Sequence, residues 1–256
     1  MRLVIFVREG KPAYGVLQED LIFPLGAPPF KGIFKTGEAL PAAGARLLAP
    51  CSPSKIVAIG MNYRDHAAEI GLPLPEEPLL FIKPSTAVIG PEANIVYPRM
   101  SQRVDYEAEL AVVIGRPCRH VTDAAAKDYI LGYTAINDVT ARDLQKKDGQ
   151  FTRSKGFDTF APLGPWIETE IPDPDHLTVE AYLNGERRQH SHTGNLVFGV
   201  FKLVSFISQI MTLLPGDVIA TGTPAGIGPM QPGDVVEVRV EGVGTLRNRL
   251  VPEETH

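Results

Sequence analysis

The stretch VDYEAELAVVI, Val104 to Ile114, constrains the chain more than any other. Its residues alternate as they do along a strand bound for a core. Val104, Tyr106, Ala108, Leu110, Val112 and Ile114 take one face, and Asp105, Glu107 and Glu109 take the other, followed by Ala111 and Val113. Two glutamates on one face of a strand repel each other. They must look into water, find positive charge, or hold a cation.

Strand patterns of this kind recur along the chain. KIVAIG, PLLFIKP, GYTAIND, TVEAYLNG, DVIATG and DVVEVRVEG read as strands, as do LVIFV and YGVLQ near the start. Asn184-Gly185 is a hairpin turn signal. The proline-marked segment APCSPSK places a boundary near Ser52. It separates a small N-terminal β-rich region, 1–52, from a larger unit, 53–256. Helices are few. YRDHAAEIG forms a short one ending at Gly71. DAAAKDYIL forms another, with Thr122 or Asp123 as its cap. Asn195 to Leu214 carries Val200, Leu203, Val204, Ile207, Ile210 and Met211 at helical spacing, which reads as a core stripe. The class is mostly β (α+β).

Composition excludes several functions. A length of 256 residues fits one large domain or one domain with a small appendage. A formal net charge of -5, without long basic runs, argues against nucleic acid as a partner. No stretch approaches the roughly 20 apolar residues that a membrane helix needs, and MRLVIFVREG is too short for a signal segment. Cys51 and Cys118 form neither a CxxC pair nor a zinc spacing and read as reduced thiols of a cytoplasmic protein. His190 and His192 in RRQHSH lack an obvious third ligand for a metal and read as surface or subunit-contact residues, beside solvated Arg187 and Arg188.

Asp138, at the end of GYTAIND, supplies a third carboxylate to the glutamate pair. Three carboxylates suit a hard divalent cation, Mg²⁺, Mn²⁺ or Ca²⁺, because the ligands are all oxygen. On E-x-E alone a solvated strand face, with Asp138 starting a turn, is the better reading, because the pattern is common. The glycine-rich TGTPAGIG, Thr221 to Gly228, follows a strand, and its backbone N–H groups suit a carboxylate. It is not a P-loop, since no Gly-Lys-Ser/Thr follows, and not GxGxxG, because Gln231 stands where a third glycine is needed.

In order along the chain, IGMNYRDHAAE, PLLFIKPSTAVIGP, VDYEAELAVVIG, GYTAINDVTARDLQ, TRSKGFDTFAPLGPW and LLPGDVIATGTPAGIG resemble the fumarylacetoacetate hydrolase superfamily over most of residues 55 to 240. The likeness is to the small bacterial members with acylpyruvase, oxaloacetate decarboxylase or 2-hydroxyhepta-2,4-diene-1,7-dioate isomerase activity. It implies a mixed β-sandwich or β-roll catalytic domain, a homodimer, and Mg²⁺ or Mn²⁺ as cofactor. By the same resemblance Glu107, Glu109 and Asp138 bind the metal, and Lys155 lies beside metal and substrate. Arg142 and Gln145 face the substrate, Thr223 contacts its carboxylate, and His66 and Glu69 form a water-activating dyad on a mobile segment. Asp65 is left unassigned, since some relatives use an aspartate near this position at the metal.

The chemistry is consistent with those assignments. A 2-oxo acid chelates one cation through its carboxylate and keto oxygens, and the cation stabilises the enolate left when the adjacent C–C bond breaks. The Lys155 ammonium adds to that stabilisation, although in isolation it reads as well as a surface lysine in a polar loop. His66 and Glu69 are three residues apart and share a helix face. Glu69 can orient the imidazole while its other nitrogen takes a proton from water; an exposed polar pair is the ordinary alternative. The expected activity is metal-dependent hydrolysis of a C–C bond in a β-diketo acid of the acylpyruvate or fumarylpyruvate type. Isomerisation of the dienedioate (5-carboxymethyl-2-hydroxymuconate and its relatives) and decarboxylation of oxaloacetate are the rivals, and aromatic catabolism is the setting by analogy. A catalytically inert 2-oxo-acid binder is the alternative of another class.

Overall fold

The computed structural model describes residues 1–71 and 73–254. The protein is mostly β, with short helices between strands. The largest sheet runs, in spatial order, Leu40–Pro41, Leu21–Pro24, Lys11–Gln18, Arg2–Arg8, Ala161–Glu168, Ile130–Asn137, Ala108–Ile114, Val218–Ala220, Ile56–Gly60 and Leu79–Lys83. A second sheet runs Glu186–His192, Thr178–Leu183, Val235–Val240, Gly244–Pro252 and Asn94–Tyr97. The N-terminal meander joins the large sheet directly, with Arg2 opposite Glu168 and Leu3 opposite Ile167.

Strand Ala108–Ile114 is buried on both faces. Leu110, Val112 and Ile114 pack with Val179, Ala181, Val236 and Val238 of the second sheet, and with Val200, Leu203, Val204 and Ile207 of helix Val200–Ile210. Ala111 and Val113, on the other face, join Leu3, Val16, Ile56, Ile136, Leu163 and Val218. The apolar run of residues 110–114, beyond Glu109, therefore belongs at the centre of the fold.

The opening stretch is not one continuous strand. It forms Val104–Tyr106 and Ala108–Ile114, and Glu107 sits at the break. The first piece pairs with Thr140–Ala141 and Gly228–Met230 in a small three-stranded sheet, while the second enters the large one. Side chains satisfy the backbone at the crossing: Glu107 N–H donates to Asn137 Oδ1 at 2.9 Å, and Ala108 N–H donates to Gln189 Oε1 at 3.0 Å. Asp138 N–H donates to the Glu107 carbonyl at 2.9 Å, which draws the two acidic residues together.

Other elements depart from the sequence reading in detail. Asp123–Tyr129 is a 3₁₀ helix rather than an α-helix, and Thr122 makes no side-chain capping bond. Of the stretch from Asn195 to Leu214, only Val200–Ile210 is an α-helix; Ile210 points outward and Met211 lies past its end. Arg64–Ile70 is helical, with Gly71 left-handed at φ 68° as a helix terminus requires. Cys51 and Cys118 are both free and buried. Among the described residues no helix is long and apolar enough to cross a membrane.

Leu110 is fully enclosed, so Leu110→Ala should lower the unfolding free energy by about 3 kcal/mol. Ile210→Ala, on the outward face of its helix, should change it by less than about 0.5 kcal/mol. Denaturant titration of the two variants measures both.

Candidate functional site

The break at Glu107 gathers three carboxylates. Glu107, Glu109 and Asp138 each offer an oxygen within 4.8 Å of the others. Their residual exposures are 5%, 1% and 1%, so water does not disperse their charge. Two lysines and an arginine answer it in part. Lys155, the last residue of helix Phe151–Lys155, donates to Glu107 Oε2 at 2.7 Å and to Asp138 Oδ2 at 2.6 Å. Lys83, at the end of strand Leu79–Lys83, donates to Asp138 Oδ1 at 2.6 Å and to the Val139 carbonyl at 3.2 Å. Arg142 donates to Glu107 Oε1, to Asp105 Oδ2 at 3.0 Å, and to Gln145 Oε1 at 2.7 Å. Asp105, wholly buried, also receives Arg103, so it fixes the guanidinium from behind.

Glu109 is treated differently. It receives the Gly222 N–H at 2.7 Å, and among the described residues it pairs with no lysine, arginine or histidine. Only glycine fits at 222: φ is 105°, and a Cβ there would lie 2.8 Å from the Asn62 Cβ. Titration tendencies follow this asymmetry. For Glu107, burial alone would raise the pKa, but the Lys155 and Arg142 charges outweigh it and hold the carboxyl down to about 2. For Glu109, burial and then repulsion from Asp138 and Glu107 push the pKa well above the usual carboxylate range. Burial lowers Lys83, against the pull of Asp138. Burial would also lower Lys155, but Asp138 and Glu107 outweigh it and keep it raised.

The cluster borders a cavity of about 400 Å³, at the small end of the usual range for ligand sites. His66, Arg142, Gln145, Lys155 and Thr223 border the same cavity, with Ile59, Met61, Phe81 and Phe151 as its apolar lining. His66 lies on helix Arg64–Ile70, and its Nδ1 is 3.0 Å from Glu69 Oε2. The other Glu69 oxygen accepts the Gly226 N–H at 3.0 Å, fastening the helix to the glycine-rich loop. The N–H groups of that loop thus meet two of the protein's own carboxylates, Glu109 and Glu69. Thr223 Oγ1 donates to the Ala108 carbonyl at 2.9 Å and accepts from Gln189 Nε2 at 2.9 Å. Asp65 is not among the clustered carboxylates; it accepts from the Ser191 hydroxyl and from the His66 N–H at 2.7 Å. His190 is exposed beside Glu180, at 2.9 Å, and belongs to no metal cluster among the described residues.

All nine residues singled out in the sequence therefore surround one space: eight line the cavity, and Glu69 holds His66 against it. Lys83, Asp105 and Gln189 were not singled out. Lys83 carried a signal, a lysine closing an otherwise apolar strand. Asp105 stood in plain view on the acidic face, but its partner Arg142 is remote in sequence. Gln189 sits in a polar run, RRQHSH, that gives no hint of burial.

The donors fit a divalent cation. All are oxygen, as a hard cation requires, and among the described residues Glu109 keeps an oxygen without a hydrogen bond and forms no ion pair. Glu107, Glu109 and Asp138 would be the ligands.

Comparison with known proteins shows the family and the fold. Residues 55–251 match the family model described as fumarylacetoacetate (FAA) hydrolase C-terminal, and residues 1–50 match one described as Rv2993c-like, N-terminal. An uncharacterized protein of Archaeoglobus fulgidus is 60% identical over 215 residues, 84% of this chain and 86% of its own. The crystal structure of 5-carboxymethyl-2-hydroxymuconate delta-isomerase from Mycobacterium smegmatis superposes with a TM-score of 0.93 at 46% identity, covering 99% of this chain and 100% of that one. Maleylpyruvate hydrolase from Sphingobium sp. SYK-6, in complex with manganese(II) and pyruvate, gives a TM-score of 0.83 at 31% identity, with the same coverage.

Mn²⁺ or Mg²⁺ should raise the thermal midpoint, since a ligand at a hundred times its Kd adds about 2.7 kcal/mol. Glu109→Gln should abolish the response. An acid with a raised folded pKa costs the metal-free protein stability as pH rises through that pKa, and a bound cation removes the cost. The metal-induced shift should therefore be larger at about pH 8 than at about pH 5.5, as read by differential scanning calorimetry.

Proposed function

The chain belongs to the fumarylacetoacetate hydrolase family, and we propose that it is a divalent-metal-dependent enzyme that hydrolyses a C–C bond in β-diketo acids of the acylpyruvate or fumarylpyruvate type. The observation that carries this reading is the His66–Glu69 pair, an imidazole oriented by a carboxylate on the wall of the cavity that also holds the carboxylate cluster. The maleylpyruvate hydrolase with manganese(II) and pyruvate supports it.

A cation held by Glu107, Glu109 and Asp138 supplies, when bound, Lewis acidity toward the 2-oxo carboxylate end of the substrate. The side chains then divide the work. Glu69 engages Nδ1 of His66, which leaves Nε2 to take a proton from water. The water oxygen adds to the distal carbonyl carbon. The C–C bond breaks, and its electron pair stays with the pyruvyl fragment as an enolate. Protonation of that carbon gives pyruvate or a related 2-oxo acid, and the acyl fragment leaves as a carboxylic acid. Lys155 places an ammonium beside the developing negative charge. Arg142 and Gln145 orient the substrate. Thr223 reaches a substrate carboxylate by exchanging its bond to the Ala108 carbonyl. In this reading residues 53–256 form the catalytic unit behind an N-terminal region of residues 1–52, and the enzyme is a cytoplasmic homodimer acting on small organic acids.

A second reading is favoured by the likeness to the Mycobacterium smegmatis isomerase. Isomerisation of a hydroxydienedioate uses the same cluster but only moves protons, and decarboxylation of oxaloacetate likewise needs no water attack.

Turnover of acetylpyruvate, fumarylpyruvate, oxaloacetate and a hydroxydienedioate, followed in the ultraviolet, separates these readings. His66→Ala should lower kcat on the diketo acids by about a hundredfold to ten-thousandfold and leave Mn²⁺ binding intact. Loss of isomerisation in that variant, with no diketo acid ever cleaved by the wild type, would assign the site to the isomerase.

A further inference from the structure

One helix contributes four residues to the cavity wall. Arg142, Gln145, Lys146 and Gly149 all line it, and their spacing places them on a single face of Arg142–Asp148 and its glycine terminus. Three cations border the space: Lys155, Arg142 and Lys146. Two are spent. Lys155 is held between Glu107 and Asp138, and Arg142 between Asp105 and Glu107. The acids nearest Lys146 in sequence are also committed elsewhere. Asp143 accepts from Ser101 and from the Gln102 N–H, and Asp148 accepts from Arg153. Among the described residues Lys146 pairs with no carboxylate. Its neighbour Lys147 does not line the cavity. Beside these charged groups the lining includes the apolar side chains of Ile59, Met61, Phe81 and Phe151.

We infer that Lys146 recognises a second, distal carboxylate on the substrate, so that the enzyme prefers dicarboxylic over monocarboxylic 2-oxo acids. The inference rests on the proposed function, because it takes the 2-oxo end of the ligand to lie at the carboxylate cluster. A cavity lined by apolar side chains, by the cluster at which the 2-oxo end is taken to lie and by an uncommitted ammonium suits an unsaturated acyl chain between two carboxylates. A terminal methyl, as in acetylpyruvate, gives the Lys146 ammonium no partner. A lysine acts here as a flexible point charge, suited to a carboxylate whose exact depth varies with chain length. Being exposed, it contributes selectivity of modest size.

The test compares two ligands of equal chain length that cannot be cleaved, 2-oxoadipate and 2-oxohexanoate, which differ in a terminal carboxylate or methyl. Calorimetric titration into the full-length protein with Mn²⁺ should show 2-oxoadipate binding about fivefold to tenfold more tightly. Lys146→Gln should bring the ratio close to unity, and Lys146→Arg should keep most of it. Lys147→Gln, the same loss of charge one residue away, should leave the ratio in place. Equal binding of the two ligands by the wild type, or a ratio that survives Lys146→Gln, would overturn the inference while leaving the 2-oxo acid site intact. Failure of both ligands to bind would remove the proposed function and this inference together.

Discussion

Carboxylates confined to a dry volume must be neutralised, and the arrangement of this protein around its cavity follows from that requirement. Asp105, Glu107, Glu109 and Asp138 are all buried. Lys83, Lys155 and Arg142 offset three of them directly, each from a different element. Glu109 is the remainder, held by one backbone N–H and pressed toward protonation by its neighbours. A divalent cation is the simplest group that satisfies Glu109 while sharing Glu107 and Asp138. The lysines then serve a second purpose, because they keep positive charge beside the same oxygens.

The backbone feature that makes this cluster possible is the crossing between sheets at Glu107. A continuous strand would hold Glu107 and Glu109 on one flat face. The break lets Val104–Tyr106 leave with the small sheet, and Asn137 and Gln189 take up the hydrogen bonds the ladder gives up. Gln189 is shared further, since its amide nitrogen also donates to Thr223 and to the Pro224 carbonyl. One buried side chain therefore joins the strand crossing, the glycine-rich loop and the edge of the second sheet. The loop in turn holds Glu69, and through it His66.

Much of this was legible in the sequence. The alternation through VDYEAELAVVI fixed the central strand, and its two apolar faces are the two faces of the core. The family resemblance brought together residues that no local pattern connects, such as His66 with Lys155. Strand Ala161–Glu168 was not read, because Pro162 and Pro165 argue against a central strand; it is accommodated where the register beside it shifts between Tyr133 and Ala135. The Asn184-Gly185 signal announced the hairpin into Glu186–His192, but the strand's polar composition hid which of its side chains turn inward, since only Gln189 and Ser191 do. Lys83 and Asp105 gained their importance from partners many residues away, a pairing that only the fold reveals.

The central claim is that Glu107, Glu109 and Asp138 form one divalent-cation site. Anomalous diffraction from crystals equilibrated with Mn²⁺ tests it most directly. The account predicts a single strong manganese peak among these three carboxylates, lost in Glu109→Gln. A manganese-equilibrated crystal with no peak there, and with the lysine pairing of Glu107 and Asp138 unchanged, would contradict it; the cluster would then be a self-neutralised structural network.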